Sequence, residues 1–318
     1  MSRKISRSPL IWILIASSVF FLIFLLVSGN FLSKGGHLGS SHHAAGQSTF
    51  FSKEYIGVVE VEGIILDAKQ VLKKLESFEE NEKVKAVVVR INSPGGAVAP
   101  SQEIYQAIKN YPKPIVASMG SLAASGGYYI ACGAKKIFAN PGTITGSIGV
   151  IMEFANLKKL YDWAKIERYS IKTGKFKDAG SEHRAMQPEE KKYFQEMIDD
   201  VLVDFKQAVA TGRNLTFEQV TAIADGRIFS GNQAKKHHLV DELGSLKDAI
   251  DEAARSAHLS GKPRVLYPKK SKKLYEFFLE DTNQTETSLF EHFLKWSSGK
   301  TQPALTPGIY LLWNHEAH

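Results

Sequence analysis

The chain has 318 residues, enough for an N-terminal anchor and one or two compact domains, and its 43% hydrophobic content suffices for a buried core. A net charge of +7, without aromatic–basic interleaving or a nucleic-acid motif, argues against DNA or RNA as a partner. The one cysteine, Cys132, rules out an intramolecular disulfide and any multi-cysteine metal site, and its apolar neighbours make it a small buried hydrophobe.

Residues 10–27 (LIWILIASSVFFLIFLLV) carry no charge and approach the roughly 20 helical residues that cross a bilayer. Arg3, Lys4 and Arg7 precede the run and only Lys34 follows closely, so the positive-inside bias puts the N-terminus in the cytoplasm and the bulk of the chain across the membrane. The run exceeds the about 7–15 residues of a signal-peptide core, and Ser28-Gly29-Asn30 lacks an A-x-A cleavage site. The expectation is therefore an uncleaved single-pass anchor over 1–32 in the inner or plasma membrane. Residues 33–52 are rich in Gly, Ser and His and read as a flexible tether. His42 and His43 have no carboxylate or cysteine spaced to complete a metal site.

Residues 53–260 alternate between strand-like and helix-like segments. Tyr55–Leu66, Lys85–Asn92 and Pro114–Met119 are β-branched or continuously apolar, as expected of strands buried on both faces. Helical spacing follows at Val71, Leu72, Leu75 and Phe78, and again over Ser101–Asn110. Ala123–Ala134 reads as a buried helix. Lys136–Asn140 and Thr143–Met152 read as strands with connections. Asn156–Lys165 reads as a helix with Leu157, Leu160, Tyr161 and Ala164 on its apolar face, and Glu167–Thr173 as a strand. Pro188 opens a long amphipathic helix with Phe194, Met197, Ile198, Val201, Phe205 and Val209 on its stripe. Thr216 with Gln219 and Ser230 with Gln233 fit capping boxes, and Ser245 caps a last helix. The alternation predicts an α/β domain with crossover connections and a peripheral helical arm. Residues 261–318 form an extension of weaker pattern, with a Lys-rich stretch at 269–273 and an apolar end, Gly308–Trp313, that could pack on the domain, lie on the membrane or occupy a groove.

Two glycine-rich junctions could carry chemistry. In Asn92-Ser93-Pro94-Gly95-Gly96 the paired glycines let backbone N–H groups face a cleft with no side chain in the way, as an oxyanion hole requires, although a simple strand-to-helix turn uses the same residues. In Gly120-Ser121-Leu122-Ala123-Ala124-Ser125-Gly126-Gly127-Tyr128, Ser125 stands among small residues at the start of a helix, where developing negative charge is favoured and the Gly126 N–H is at hand. Ala123 replaces the first glycine of a G-x-S-x-G elbow. Two bases are available to Ser125. Lys177 serves if burial or nearby positive charge keeps it neutral. His183 with Asp178 is the conventional alternative, and spacing alone favours it.

Six stretches in order resemble the signal peptide peptidase A family of serine proteases, related in fold to the Clp protease and crotonase superfamily, a superhelix of ββα units. They are Ile91–Gly96, Ser118–Tyr129, Thr145–Val150, Thr173–Asp178, Ala224–Arg227 and Leu239–Gly244. The resemblance implies a Ser-Lys dyad with Ser125 as nucleophile and Lys177 as base, Lys175 being the neighbouring decoy. It also implies an oxyanion hole from the N–H groups of Gly96 and Gly126, and Ser147 as the accessory residue that hydrogen-bonds the lysine. No metal or cofactor is expected. The implied substrates are cleaved signal peptides and other unstructured peptides at the membrane, and the implied assembly is a homo-oligomer. The rival readings are a Ser-His-Asp hydrolase, a catalytically idle membrane scaffold or quality-control adaptor, and a crotonase-type acyl-CoA enzyme; an extracytoplasmic domain would not meet CoA.

Overall fold

The computed structural model describes residues 54–268 and the backbone of 310–312. In chain order the elements are β1 (Tyr55–Glu62), α1 (Lys69–Glu80), β2 (Val84–Ser93), β3 (Gly95–Ala97), α2 (Val98–Lys109), β4 (Ile115–Ala124), α3 (Gly126–Ala131), β5 (Lys136–Ala139) and β6 (Ile144–Gly146). They continue with α4 (Lys158–Trp163), α5 (Pro188–Arg213), α6 (Phe217–Thr221), β7 (Ile228–Ser230), α7 (Gly231–Lys236), β8 (Glu242–Leu243), α8 (Leu246–Ser256), β9 (Arg264–Leu266) and β10 (Tyr310–Leu312).

The central strands are parallel because each is followed by a crossover helix. Successive residues of β1 and β2 point to opposite faces, and both faces are covered. Val59, Val61, Val87 and Val89 enter the larger core with α1, α2, α3 and α5. Ile56, Val58, Ala86 and Val88 pack with Ala249, Ala253 and Ala254 of α8 on the other side. This two-sided burial is why these strands read as unbroken apolar runs. The sheet order is β7-β6-β4-β2-β1-β9, with β5 also on β4 and β8 on β5. The long β4 forks the sheet: Val116–Ser118 pair with β5 and Leu122–Ala124 with β6.

The expected strands and helices of the core are present, and the boxes at Thr216 and Ser230 form. At α8 the Ser245 N–H and hydroxyl both donate to Asp248 at 2.7 Å. The Leu239–Gly244 stretch has a structural reason. Asp241 accepts from the Ile137 N–H (2.7 Å) and from Arg213 (2.6 Å), tying the end of α5 to β5. Cys132 is buried, and burial pushes its thiol up to about 12.

Three expectations are corrected. The helix read over Ala123–Ala134 begins only at Gly126, because Ala123 and Ala124 continue β4 and pair with Thr145 and Gly146. Glu167–Thr173 is not a strand: among the described residues it has no pairing partner, and Ile171 is 95% exposed. The helix over Asn156–Lys165 shortens to α4, and none of its residues is buried, so among the described residues the expected apolar face covers nothing. The anchor over 1–32 and the tether over 33–52 lie outside the described residues. Among the described residues no helix is long and apolar enough to cross a membrane.

Candidate active site

Ser125 occupies the turn between β4 and α3 with φ 53° and ψ −119°. Such a conformation costs a non-glycine residue about 1–3 kcal/mol and persists only where its surroundings enforce it. The enforcement is visible. The Ser125 N–H donates to the Gly146 carbonyl and its own carbonyl accepts from the Tyr129 N–H, both at 2.8 Å. Ser125 is 1% exposed, and among the described residues its hydroxyl is committed to no hydrogen bond.

The glycine pair after β2 lies beside this turn. Ser93, fully buried, donates through Oγ to the Gly63 carbonyl (2.6 Å) and accepts from the Gly95 N–H (3.0 Å). The Ala97 N–H donates to the Ile65 carbonyl at 2.8 Å. Alternate N–H groups of a strand point opposite ways, so with Gly95 and Ala97 held inward the Gly96 N–H is turned outward. A Cβ placed on Gly126 would lie 3.2 Å from the Gly96 nitrogen and 2.7 Å from Ser101 Oγ, so the two backbones meet closely. A Cβ on Gly96 would come within 2.0 Å of the Ile65 carbonyl oxygen, which leaves no room for any other residue. The Gly126 N–H is the first of α3 and has no partner within that helix. Two backbone donors therefore flank the Ser125 turn.

Ser147 is brought to the same place. It has φ 50°, is buried, and donates its N–H to the Arg227 carbonyl at 2.8 Å. The preceding Gly146 is the residue that accepts from Ser125. Two buried threonines pin this segment to the end of β4: Thr143 Oγ1 donates to the Gly120 carbonyl and Thr145 Oγ1 to the Ala123 carbonyl, both at 2.7 Å. The Ala224–Arg227 stretch supports the turn from behind, with the Gly226 N–H on the Ile148 carbonyl at 3.1 Å.

Lys177 is not brought in. It lies on an arm between β6 and α5 in which no residue from 149 to 189 is buried, and its side chain is exposed. Among the described residues no hydrogen bond or ion pair joins it to Ser125 or Ser147. Lys175 pairs with Glu189. The arm rests on α5 through Phe154 against Phe194 (ring centroids 4.7 Å) and Phe176 against Tyr193 (5.3 Å). Trp163 and Tyr169 are 80% and 82% exposed. Asp178 does not orient His183. Its carboxylate is taken by Arg184 (2.9 and 3.1 Å) and by Lys172, and Arg184 also holds Glu190. The Arg184 hydrogen bonds are the largest cause holding both Asp178 and Glu190 below the usual carboxylate range. The arrangement Ser-His-Asp is thus not formed.

The family model for Peptidase family S49 matches residues 107–260, and that for Clp protease matches 55–144. A candidate protease of Synechocystis sp. is 47% identical over 212 residues, spanning 65% of this chain and 76% of the relative. The chain belongs to peptidase family S49, the signal peptide peptidase A family. A candidate signal peptide peptidase SppA of Enterococcus faecium is 36% identical over 225 residues, 70% of this chain and 62% of its own. The chloroplastic serine protease SPPA of Arabidopsis thaliana is 35% identical over 206 residues, 64% of this chain and 30% of its own. The chain thus spans less than two thirds of these last two. Among solved structures, a ClpP1 variant of Listeria monocytogenes superposes with a TM-score of 0.43 at 21% identity, covering 61% of this chain and 94% of that one.

This S49 chain is a serine protease with a Clp protease-like α/β fold. The residues that sequence reading missed are the supports: Ser93, Ser101, Thr143 and Thr145. One signal was available. A hydroxyl residue at the buried end of an apolar strand must find a partner, and beside a glycine turn the nearest partner is the turn's own backbone.

Proposed function

We propose that this chain is a membrane-anchored serine endopeptidase that cleaves cleaved-off signal peptides and other unstructured or membrane-associated peptides with a Ser-Lys dyad. The observation that carries the reading is the Ser125 turn, strained, with a hydroxyl uncommitted among the described residues, and flanked by the backbone N–H groups of Gly96 and Gly126. Ser125 is the nucleophile. The Gly96 and Gly126 N–H groups receive the oxyanion, an interaction whose loss costs about 10²–10³ in rate. Lys177 takes the Ser125 proton and returns it to the leaving amine, and Ser147 steadies the lysine.

A lysine is a base only when it is neutral, which calls for desolvation or nearby positive charge. Lys177 is exposed on an arm whose apolar face is uncovered among the described residues. A second copy of the chain covering that face would withdraw the lysine from water, so the homo-oligomer belongs to the mechanism. The anchor read from residues 10–27 would hold the domain on the extracytoplasmic side of the inner or plasma membrane, where signal-peptide remnants lie.

The test is cleavage of an unstructured apolar peptide by the full chain in detergent. Ser125→Ala and Lys177→Ala should each lose about 10³-fold or more in kcat/KM, and wild-type activity should climb toward alkaline pH. Full activity in either variant would remove the dyad.

A further inference from the structure

β4 does not run straight to Ser125. Ile91 of β2 faces Met119, but Ser93 faces Ala123, so Gly120, Ser121 and Leu122 all stand against Asn92 alone. A bulge of this kind holds extra residues out of the ladder and bends the strand. It is also where β4 changes neighbours, from β5 before it to β6 after it. The two residues beyond what a straight ladder needs take up about 7 Å of strand. A straight β4 would carry Ser125 that much further along. As it stands, the turn meets the glycine junction: a Cβ on Gly126 would lie 3.2 Å from both the Gly95 Cα and the Gly96 nitrogen. Side chains hold the bulge at both ends. Where it begins, Arg90 Nη1 donates to Ser118 Oγ and to the Met119 carbonyl, both at 2.9 Å. Where it ends, Asn92 Oδ1 accepts the Leu122 N–H at 3.2 Å, the side chain's one hydrogen bond among the described residues. Asn92 also lies across Gly120, where a Cβ would come within 3.1 Å of Asn92 Oδ1 and 3.2 Å of its Cβ and Cγ.

We propose that Asn92 is a positioning residue for the nucleophile: by holding the Leu122 N–H it fixes the bulge in β4, and so the level at which Ser125 meets the Gly96 and Gly126 N–H groups. The proposal rests on the protease reading given above. Without the Asn92 acceptor the Leu122 N–H turns to water, and the end of β4 before Ser125 loosens. A misplacement of about 1 Å between reacting groups costs about 10²-fold in rate, so a small release is readable. The loss falls in kcat, because the β3 edge keeps its own supports at Ser93 and Ile65. What the role requires is the acceptor atom. Asn92→Asp keeps an oxygen in that place, whereas Asn92→Leu keeps the branched outline without one. Asn92 is exposed, so neither change leaves a cavity in the core. Its neighbour Glu62 on β1 is exposed as well, and water screens the charge that Asn92→Asp adds beside it.

The experiment compares wild type, Asn92→Leu and Asn92→Asp as full chains in detergent, with a fluorogenic unstructured peptide as substrate. Asn92→Leu should lower kcat about 10–100-fold with KM within about twofold of wild type, and Asn92→Asp should keep kcat within about threefold. The alkaline rise of the rate should hold its midpoint in both variants, because the base is not moved. Hydrogen exchange, read by mass on peptides spanning 118–125, should quicken in Asn92→Leu and not in Asn92→Asp. Equal losses in the two variants, an unchanged kcat in Asn92→Leu, or a change confined to KM would overturn the proposal and leave the protease reading standing. Absence of peptide turnover in wild type would remove the protease reading and the positioning role with it, whereas the exchange measurement would still report whether Asn92 holds the bulge.

Discussion

Ser93 makes no contact with a substrate, yet it decides where Gly96 points. Its Oγ bridges the Gly63 carbonyl and the Gly95 N–H, and rotating that linkage would rotate the next peptide. Ser93→Ala should therefore lower kcat by about tenfold or more with little change in KM, a smaller loss than removing an oxyanion donor outright. An equal change in kcat and KM, or none, would make Ser93 a packing residue only. Gly96→Ala is expected to be harsher, because the added Cβ meets a backbone oxygen at 2.0 Å that no rotamer change can move. Ser125 and Gly96 were legible as residues, since small side chains and paired glycines at strand ends mark close backbone approach. The positive φ of Ser125 was not legible. It is imposed by Gly146, a residue from another strand.

The elements divide into a tightly packed body and an arm. Phe205 of α5 is fully buried and packs on Tyr129 of α3 at 4.9 Å, so it couples the long helix to the helix that starts at the nucleophile. Phe205→Ala should destabilise the chain by about 3–5 kcal/mol, measured by urea unfolding. The arm is held by its aromatic contacts with α5 and by ion pairs. Asp178 and Glu190 are depressed by Arg184, so their contribution is fully present above the unfolded carboxylate values of about 3.9–4.3 and is lost as the pH falls below them. Protease nicking within 152–187 should therefore rise at acid pH, and Arg184→Ala should show the same nicking already at neutral pH. Periodicity identified α5 because its stripe repeats over many turns. It misread Glu167–Thr173, where alternating apolar residues have no strand to pair with among the described residues.

At the scale of the whole molecule, the predicted nucleophile lies in the buried core of the domain and the predicted base on its exposed arm. A site completed between copies makes a numerical prediction. If Ser125 works with the Lys177 of a neighbour, Ser125→Ala and Lys177→Ala chains that are each inactive should, when mixed equally before assembly, recover about a quarter of wild-type activity, because each site then draws both intact groups from two independent choices. No recovery would place both groups of the dyad within one chain. The apolar strands, the helix caps and the glycine junctions could be read from the residues alone, because each depends on neighbours within a few positions, and so could the six family stretches. The sequence also marked Ser125 and Lys177 as a pair, through resemblance to a family rather than through spacing, which favoured His183. It took the folded chain to turn the Gly96 N–H outward and to lay Tyr310–Leu312 against Gly95–Ala97, and to show Asp178 paired with Arg184 and Lys177 exposed. The first two are set by contacts between segments distant in the chain, which no local pattern of residues encodes; the Asp178–Arg184 pair spans six residues of an irregular segment, where no periodicity marks which side chains meet.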